Sequence, residues 1–562
     1  MAQAKTQFGY RRHLDQDRSG ADVAEHPVVV VGAGPVGLTL AIDLGMRGVS
    51  CMLVEQKEAP QFLPKMERCN ARTMEIFRRM GLAGCIRAAG LPAQCPMDVF
   101  IVTSLIEPPL LHLPYPSVAE AKKEIAASTG AALPLEPYQL ISQYTLEPLL
   151  KSVAEKLPSV TVRYGTEFID FTEHADNVTA RLRSSNGAPE IAASYLVGCD
   201  GGGSAIRKQL GIGLSGEGNL LELRQALYRC DDLYARIPIG KGRHYHVADD
   251  RSTQLIVQDS TRHFTLHGVV EQDSDMVTLF ADTIAMPLAF ETIHVGKWRQ
   301  NLLLADRYGS GSRVFLAGDA VHLVIPTGGL GMNTGVGDAI DLAWKLAATI
   351  DGWGGPKLLV SYEIERRQVG SRNVAASRFA SQGRRKWRAM WRPNISDSTP
   401  EGAETRAKLA RVADVEQRKT NEMIGAELGY RYVGSPLIAQ EPGEGPAHEF
   451  MDYAPSTSPG ARLPHVWLAD GTAVQDRIGY GHGYTLLRLS GRSRRNGDDA
   501  AALGRAFAAH GAPCALLDLP DERARDIYGY DLILVRPDLH VVWRGHGMPD
   551  DPDRLAAIAT GH

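Results

Sequence analysis

No run of apolar residues in this chain is long enough to cross a bilayer, since the most apolar stretch, from Val28 to Leu44, is short and rich in glycine. The amino-terminal segment MAQAKTQFGYRRHLDQDRSGADVAEH is charged throughout and has no apolar core of the kind a secretory signal needs. Cysteine is scarce. The seven present (Cys51, Cys69, Cys85, Cys95, Cys199, Cys230 and Cys514) form no CxxC and no Cys/His cluster, so neither a zinc site nor a dithiol is expected. These absences point to a cytoplasmic protein with mostly inert thiols. Positive charge is not in excess: a net charge of −4 argues against nucleic acid or an anionic membrane as partner. Internal repeats, heptads and low-complexity tracts are also missing. What is present is an ordinary globular composition, 44% hydrophobic and 22% charged, over 562 residues, which suggests roughly three or four domains.

The segment PVVVVGAGPVGLTLAIDLGMRGVSCMLVEQ, from Pro27, reads as a strand, a glycine turn with Gly32, Gly34 and Gly37, a helix, and a second strand that ends at Glu55. A lone GxGxxG is weak evidence. Here the strand precedes it, the helix follows, and an acid stands 23 residues after the first glycine, where a carboxylate can hold an adenosine ribose. An acid at that place favours an unphosphorylated ribose, hence FAD or NAD, and leaves those two open.

Residues 314 to 337, VFLAGDAVHLVIPTGGLGMNTGVG, run from an apolar strand into Gly318-Asp319 and then into glycines that precede a helical pattern. A glycine-rich junction before a helix lets backbone approach a bound polar group closely. Between the two, SYLVGCDGGGSAIRKQLGI from Ser194 places Asp200-Gly201 after another strand. Taken together, the order GxGxxG, DG, then GD followed by P-x-G-G-x-G-x-N resembles the class A flavoprotein aromatic hydroxylases. MERCNARTMEIFRRMG, from Met66, and ISQYTLEPLL, from Ile141, are similar to segments of their phenol-hydroxylating branch.

The resemblance implies an α/β fold with a Rossmann-type FAD-binding domain of the p-hydroxybenzoate hydroxylase type, an antiparallel-sheet substrate domain and a C-terminal thioredoxin-like domain. The expected boundaries are 27–213 and 295–395 for a discontinuous FAD domain and 214–294 for the sheet. A helical segment and linker follow at 396–445, and the last domain at 446–562. The implied cofactors are FAD, NAD(P)H (NADPH foremost) and O2. The flavin would be bound by Gly32, Gly34, Gly37, Glu55, Arg72, Gln143, Asp200, Gly318, Asp319, Gly331, Met332 and Asn333. Asp319 suits the ribityl hydroxyls, and a helix starting at Gly331 offers its unpaired N–H groups to the flavin N1 and C2 oxygen.

The implied reaction is hydroxylation of a small phenolic substrate: NAD(P)H reduces FAD, oxygen adds, and a flavin C4a-hydroperoxide transfers a hydroxyl group to the ring. Baeyer–Villiger or oxidase chemistry on the same scaffold would keep every motif, and a flavin redox sensor is a further alternative. Pro326 would line the ring edge. In the resembled branch an acid stands five positions before the arginine of the R-T motif and faces the substrate hydroxyl, which here makes Glu67 the candidate base; otherwise it is a surface acid pairing with Lys65 or Arg68. On the sheet, Arg224, Tyr228, His244, Tyr245 and His246 are candidates for holding the substrate, with Tyr245 and His246 taken as catalytic. His322 reads as a packed, hydrogen-bonded residue. Cys514 stands alone in the last domain, whose expected role is packing or contact within a homodimer.

Overall fold

Val28–Val31 consists of four valines, all buried. A β-branched run covered on both faces belongs in the middle of a parallel sheet, and that is where it lies. Five parallel strands run in the order Val314–Leu316, Tyr195–Gly198, Val28–Val31, Cys51–Val54, Val160–Arg163. The outermost strand arrives more than a hundred residues after its neighbour, so two separated parts of the chain build one sheet. Gly32 leaves the first strand at φ +102°, and a Cβ there would stand 2.4 Å from the carbonyl oxygen of Cys199. Only glycine permits that crossing. The computed structural model describes residues 26–63, 65–185, 187–443, 445–446, 449–481, 483–489 and 497–562; the charged amino-terminal segment and parts of the QEPGEGPAHEF linker lie outside the described residues.

A second sheet of seven strands roofs the first unit, in the order Glu291–Arg299, Glu222–Arg229, His263–Gly268, Gln254–Val257, His244–Val247, Val99–Val102, Leu111–Leu113. It departs from the expected antiparallel sheet at 214–294 in four ways. Val99–Val102 joins it in parallel with His244–Val247, Leu111–Leu113 adds an edge strand, Glu291–Arg299 runs past 294, and Leu214–Glu217 pairs instead with Leu302–Ala305. The four apolar residues of Val99–Val102 pair with a strand some 140 residues away, a pairing that local periodicity does not reveal. Successive side chains on a strand alternate between faces. One face packs Tyr228, Tyr245, Phe264 and Leu266 with the helix Asp275–Ile284; the other turns Gln225, His244, Gln254, Thr265 and His267 into a cavity.

The helix Lys357–Arg388 runs for 32 residues, and its last turns lie on that second sheet, where Arg388 donates to the carbonyls of Val247 and Thr253. The C-terminal unit holds four strands in the order Cys514–Asp518, Tyr484–Arg488, Leu532–Val535, Val541–Gly545, the first two parallel and the others antiparallel. It is bolted to the flavin-type unit by buried charge. Arg536 donates to Asp341 at 2.9 Å, Glu365 at 2.7 Å and Asp538 at 2.6 Å, while Lys345 donates to Asp341 and Glu365 at 2.7 and 2.6 Å. Arg536→Met would strand three buried carboxylates with one lysine, so the melting temperature should fall sharply, by a loss of about 3–5 kcal/mol in chemical unfolding. An unchanged transition would show that the network contributes little.

Cys514 lies on the edge strand of this unit, and burial pushes its thiol up to about 12. A thiol that stays protonated is a poor nucleophile. Cys514→Ser should leave turnover and flavin content at wild-type values in a steady-state assay.

Candidate active site

A cavity of about 920 Å³ lies between the parallel sheet, the seven-stranded sheet and the long helix. Its first wall is the dinucleotide-type turn. Gly34 precedes the helix Pro35–Met46, whose first turn has no side-chain cap and no acidic residue. The N–H groups at that end are therefore available to an anion. Glu55 is held at the turn, accepting from the N–H of Ala33 and of Lys57, each at 3.0 Å. Asp200 accepts through Oδ2 from Ala205 N–H at 2.8 Å, while its Oδ1 is buried without a partner.

The GD and glycine-rich segment forms the adjoining wall. Asp319 faces the cavity, exposed there, and takes no hydrogen bond from the described residues. The 20-residue helix Gly331–Ile350 likewise starts without a cap or an acid. Gly329, at φ +66°, would place a Cβ 2.5 Å from Arg68 Nε, and the Arg68 guanidinium donates to Gly328 O at 2.5 Å. Asn333 donates from Nδ2 to Gly329 O at 2.6 Å and accepts from Asn70 N–H at 2.9 Å, closing the loop on itself. Two uncapped helix starts, an orphaned buried carboxylate oxygen and an unpaired aspartate on one cavity fit a ligand with anionic phosphates and several hydroxyls. FAD is such a ligand.

The far wall belongs to the seven-stranded sheet. His244 Nε2 lies 2.9 and 2.8 Å from the two carboxylate oxygens of Glu67, which is 24% exposed to the cavity. Burial pushes the Glu67 carboxyl up, but His244, Arg243 and Arg68 outweigh it and hold it at about 2. Burial lowers His244 below the ordinary histidine range despite Glu67, so at neutral pH the imidazole is uncharged and donates its Nε2–H to the carboxylate.

The matching families are an FAD binding domain over residues 25–377 and the C-terminal domain of aromatic-ring hydroxylases over 456–561. The chain is 32% identical to the FAD-dependent monooxygenase apdD of Emericella nidulans, over 95% of this chain and 90% of that one. It is also 32% identical to aklavinone 12-hydroxylase RdmE of Streptomyces purpurascens, over 92% and 95%. The chain belongs to the FAD-dependent aromatic-ring hydroxylases. Among solved structures, RebC soaked with chromopyrrolic acid and holding 7-carboxy-K252c superposes on the hydroxylase with a TM-score of 0.86 at 30% identity, covering 96% of this chain and 99% of that one. Aklavinone-11 hydroxylase with FAD and aklavinone gives 0.80 at 28% identity, covering 96% and 100%.

Of the residues expected at the site of the hydroxylase, Gly32, Gly34, Glu55, Glu67, Gln143, Asp200, Asp319, Pro326, Gly331, Met332 and Asn333 line the cavity. Five expectations are corrected. Gly37 and Gly318 lie behind the wall; Gly318 donates its N–H to Asp338. Arg72 is absent from the cavity wall: its guanidinium donates to Tyr430 Oη and, in the C-terminal unit, to Asp538 O. Tyr245 points to the covered face of its sheet, stacked on Phe100 with its hydroxyl donating to Gly240 O, since it alternates with His244. His246 shares the face of His244 but is sealed beneath Trp387 and Gln417.

Arg224 and Tyr228 are spent on the outer face, on Asp273 and on Met276 O. His322 is buried on Asp338 at 2.7 Å, as a packed residue. The equal expectation that Glu67 pairs with Lys65 or Arg68 gives way to His244. Sequence reasoning missed Arg243, Gln254, His267 and Arg384; the only hint was the alternation of H-Y-H, which puts His244 and Tyr245 on opposite faces.

Asp319→Ala should weaken FAD retention by about 10-fold or more, the scale of a hydrogen bond to a charged acceptor, in fluorescence titration of the apoenzyme. Unchanged affinity would remove Asp319 from the flavin site.

Proposed function

We propose that the hydroxylase adds a hydroxyl group to an electron-rich phenolic ring, using O2 and NAD(P)H, with NADPH as the first candidate. The observation that carries this is a single cavity with the dinucleotide turn and Asp319 on one side and the Glu67–His244 pair on the other. FAD, when bound, supplies hydride acceptance and the activation of oxygen. The residues of the chain bind, orient and enclose. The helix starting at Gly331 presents donors and positive potential, with Asp319 and Asp200 as acceptors for hydroxyls. Pro326, Ile325, Leu223 and Trp298 supply apolar wall, which keeps water from the reacting centre.

A magnitude decides the role of Glu67. Even an ordinary glutamate, near 4.3, lies about six units below a phenol near 10, so full proton transfer to a carboxyl held below that range would cost on the order of 8 kcal/mol or more. Glu67 therefore acts as a fixed hydrogen-bond acceptor for the phenol O–H. That bond pushes electron density toward the ortho and para carbons. His244, uncharged and donating to Glu67, fixes the carboxylate and restrains it from turning away.

A cytoplasmic setting is supported by seven cysteines without a disulfide. Among the described residues no helix is long and apolar enough to cross a membrane. A homodimer is supported by the open edge strand Cys514–Asp518, on which Leu516 is 44% exposed. The βαβαββα order of the C-terminal unit supports a thioredoxin-like reading.

The test is a panel of phenols scored for stimulated NAD(P)H oxidation, with mass spectrometry of product formed under 18O2. A ring hydroxyl carrying the label is expected; a ring-expanded ester would overturn the reading. In Glu67→Gln, product per NAD(P)H should fall about 10-fold or more while NAD(P)H consumption continues and hydrogen peroxide rises. A carboxyl depressed to about 2 stays ionised well below neutrality. Protonation of Glu67 itself should therefore give the wild-type yield no limb near pH 4–5, the range of an ordinary glutamate; a limb below the ordinary histidine range belongs to His244, and His244→Gln should remove it.

A further inference from the structure

Where the long helix meets the seven-stranded sheet, the cavity wall carries more guanidiniums than carboxylates among the described residues. Arg243 is 2% exposed; it donates from Nη2 to Asn421 Oδ1 at 3.3 Å, and its Nε is buried without a partner. Arg384 donates from Nη1 to Gln254 Oε1 at 2.9 Å, and its Nε is likewise buried and unpartnered. Among the described residues neither guanidinium makes an ion pair. Arg388, close by, has only Asp249 at 3.5 Å. The other acid on this wall, Glu67, bonds to the uncharged His244 and is the one carboxylate whose charge Arg243 and Arg384 both feel. The field is felt by the neighbours: burial first, and Arg384 next, lower His267 to about 4.

Arg243 also lies over the rings of Tyr115 and Tyr138, yet a single carboxylate among these guanidiniums leaves positive charge in excess, and a largely desolvated cation in excess is costly. Such an arrangement persists where a ligand brings the missing charge. The phosphates of FAD would lie at the uncapped helix starts and the glycine turn, which belong to the other walls. The anion expected here therefore enters with the molecule that occupies the sheet side.

We infer that the substrate of this hydroxylase is an aromatic compound bearing a carboxylate, and that Arg384, with Arg243, binds that carboxylate. The inference rests on the reading that the sheet side of the cavity holds the aromatic substrate. Arg384 offers Nη2 and Arg243 offers Nη1, neither engaged by the described residues, and the pair gives a carboxylate two charge-assisted hydrogen bonds. The orienting bond of the phenol to Glu67 and the anchor to the arginines would then fix the ring at two points.

The holoenzyme can be titrated with 3-hydroxybenzoate against 3-hydroxybenzamide, and with 3-hydroxy-2-naphthoate against its amide, following the flavin absorbance. The carboxylates should bind about 10- to 100-fold more tightly than the amides. That preference should vanish in Arg384→Met and in Arg384→Gln, while Arg384→Lys keeps part of it. The ligand-free Arg384→Met holoenzyme should melt no lower than wild type, since the cation removed has no ion pair among the described residues and Nε is buried without a partner.

Equal binding of both series, binding of neither, or a preference that survives in Arg384→Met and Arg384→Gln would overturn the inference. So would a rise confined to the NADPH KM in those variants, which would give Arg384 to the nicotinamide cofactor. If the amides are bound and hydroxylated as well as the acids, the hydroxylase reading stands and the carboxylate inference falls. If the acids bind selectively but no probe gains a ring hydroxyl, the anion site stands and the hydroxylation reading falls.

Discussion

A single carboxylate without solvent contact, Asp338, holds the catalytic frame together. It accepts from Gly318 N–H at 3.1 Å, from His322 Nε2 at 2.7 Å and from Arg366 Nε at 2.8 Å. Burial alone would push its carboxyl up; Arg366 and His322 outweigh burial and hold it below the ordinary range. The three donors come from the GD turn, the short strand after it and the long helix, while Asp338 itself sits on the helix that starts at Gly331. Arg366 adds a bond to Thr334 O at 3.0 Å, in the first turn of that helix. A carboxylate whose folded-state pKa is depressed contributes stability above its unfolded pKa and loses it as pH falls through the folded value.

From that clamp the long helix reaches outward. Arg384 lies 18 residues beyond Arg366, about 27 Å along the axis at ~1.5 Å per residue. One rigid rod thus connects the flavin side of the cavity, fixed by Asp338, to the substrate side, where Arg384 and Arg388 meet the sheet. The buried cluster of Arg536, Asp341, Glu365 and Lys345 ties the C-terminal unit to the same two helices. Its place in the structure is that of a brace behind the site.

The cavity is divided by electrostatic character. Its flavin side ends in uncapped helix starts and acids with free oxygens, suited to phosphates and hydroxyls. The sheet side carries guanidiniums and a histidine-bound carboxylate, suited to an aromatic acid or a phenol. Neither half is built from one stretch of chain. The glycine loop at Gly328–Gly329 joins them, held by Arg68 from below and Asn333 from within.

Short-range chemistry was legible in the sequence: glycines at turns that tolerate no Cβ, strands read from β-branched runs, and the order of three motifs. These features depend on backbone sterics within a few residues, so the flavin wall and the strands at 244–268 could be named before any fold was seen. Which side of a strand or helix faces the cavity depends on what packs against the other side, and that is a long-range fact. Hence Tyr245 and Arg72 fell on covered faces, and Val99–Val102 joined a sheet assembled mostly from residues far along the chain. The pKa of Glu67 followed the same rule, because only the folded chain brings His244, Arg243 and Arg68 around it. Arg384 carried no signal in a charged helix; it became notable once the fold set its guanidinium on the cavity wall, with Nε buried and without a partner and no ion pair among the described residues.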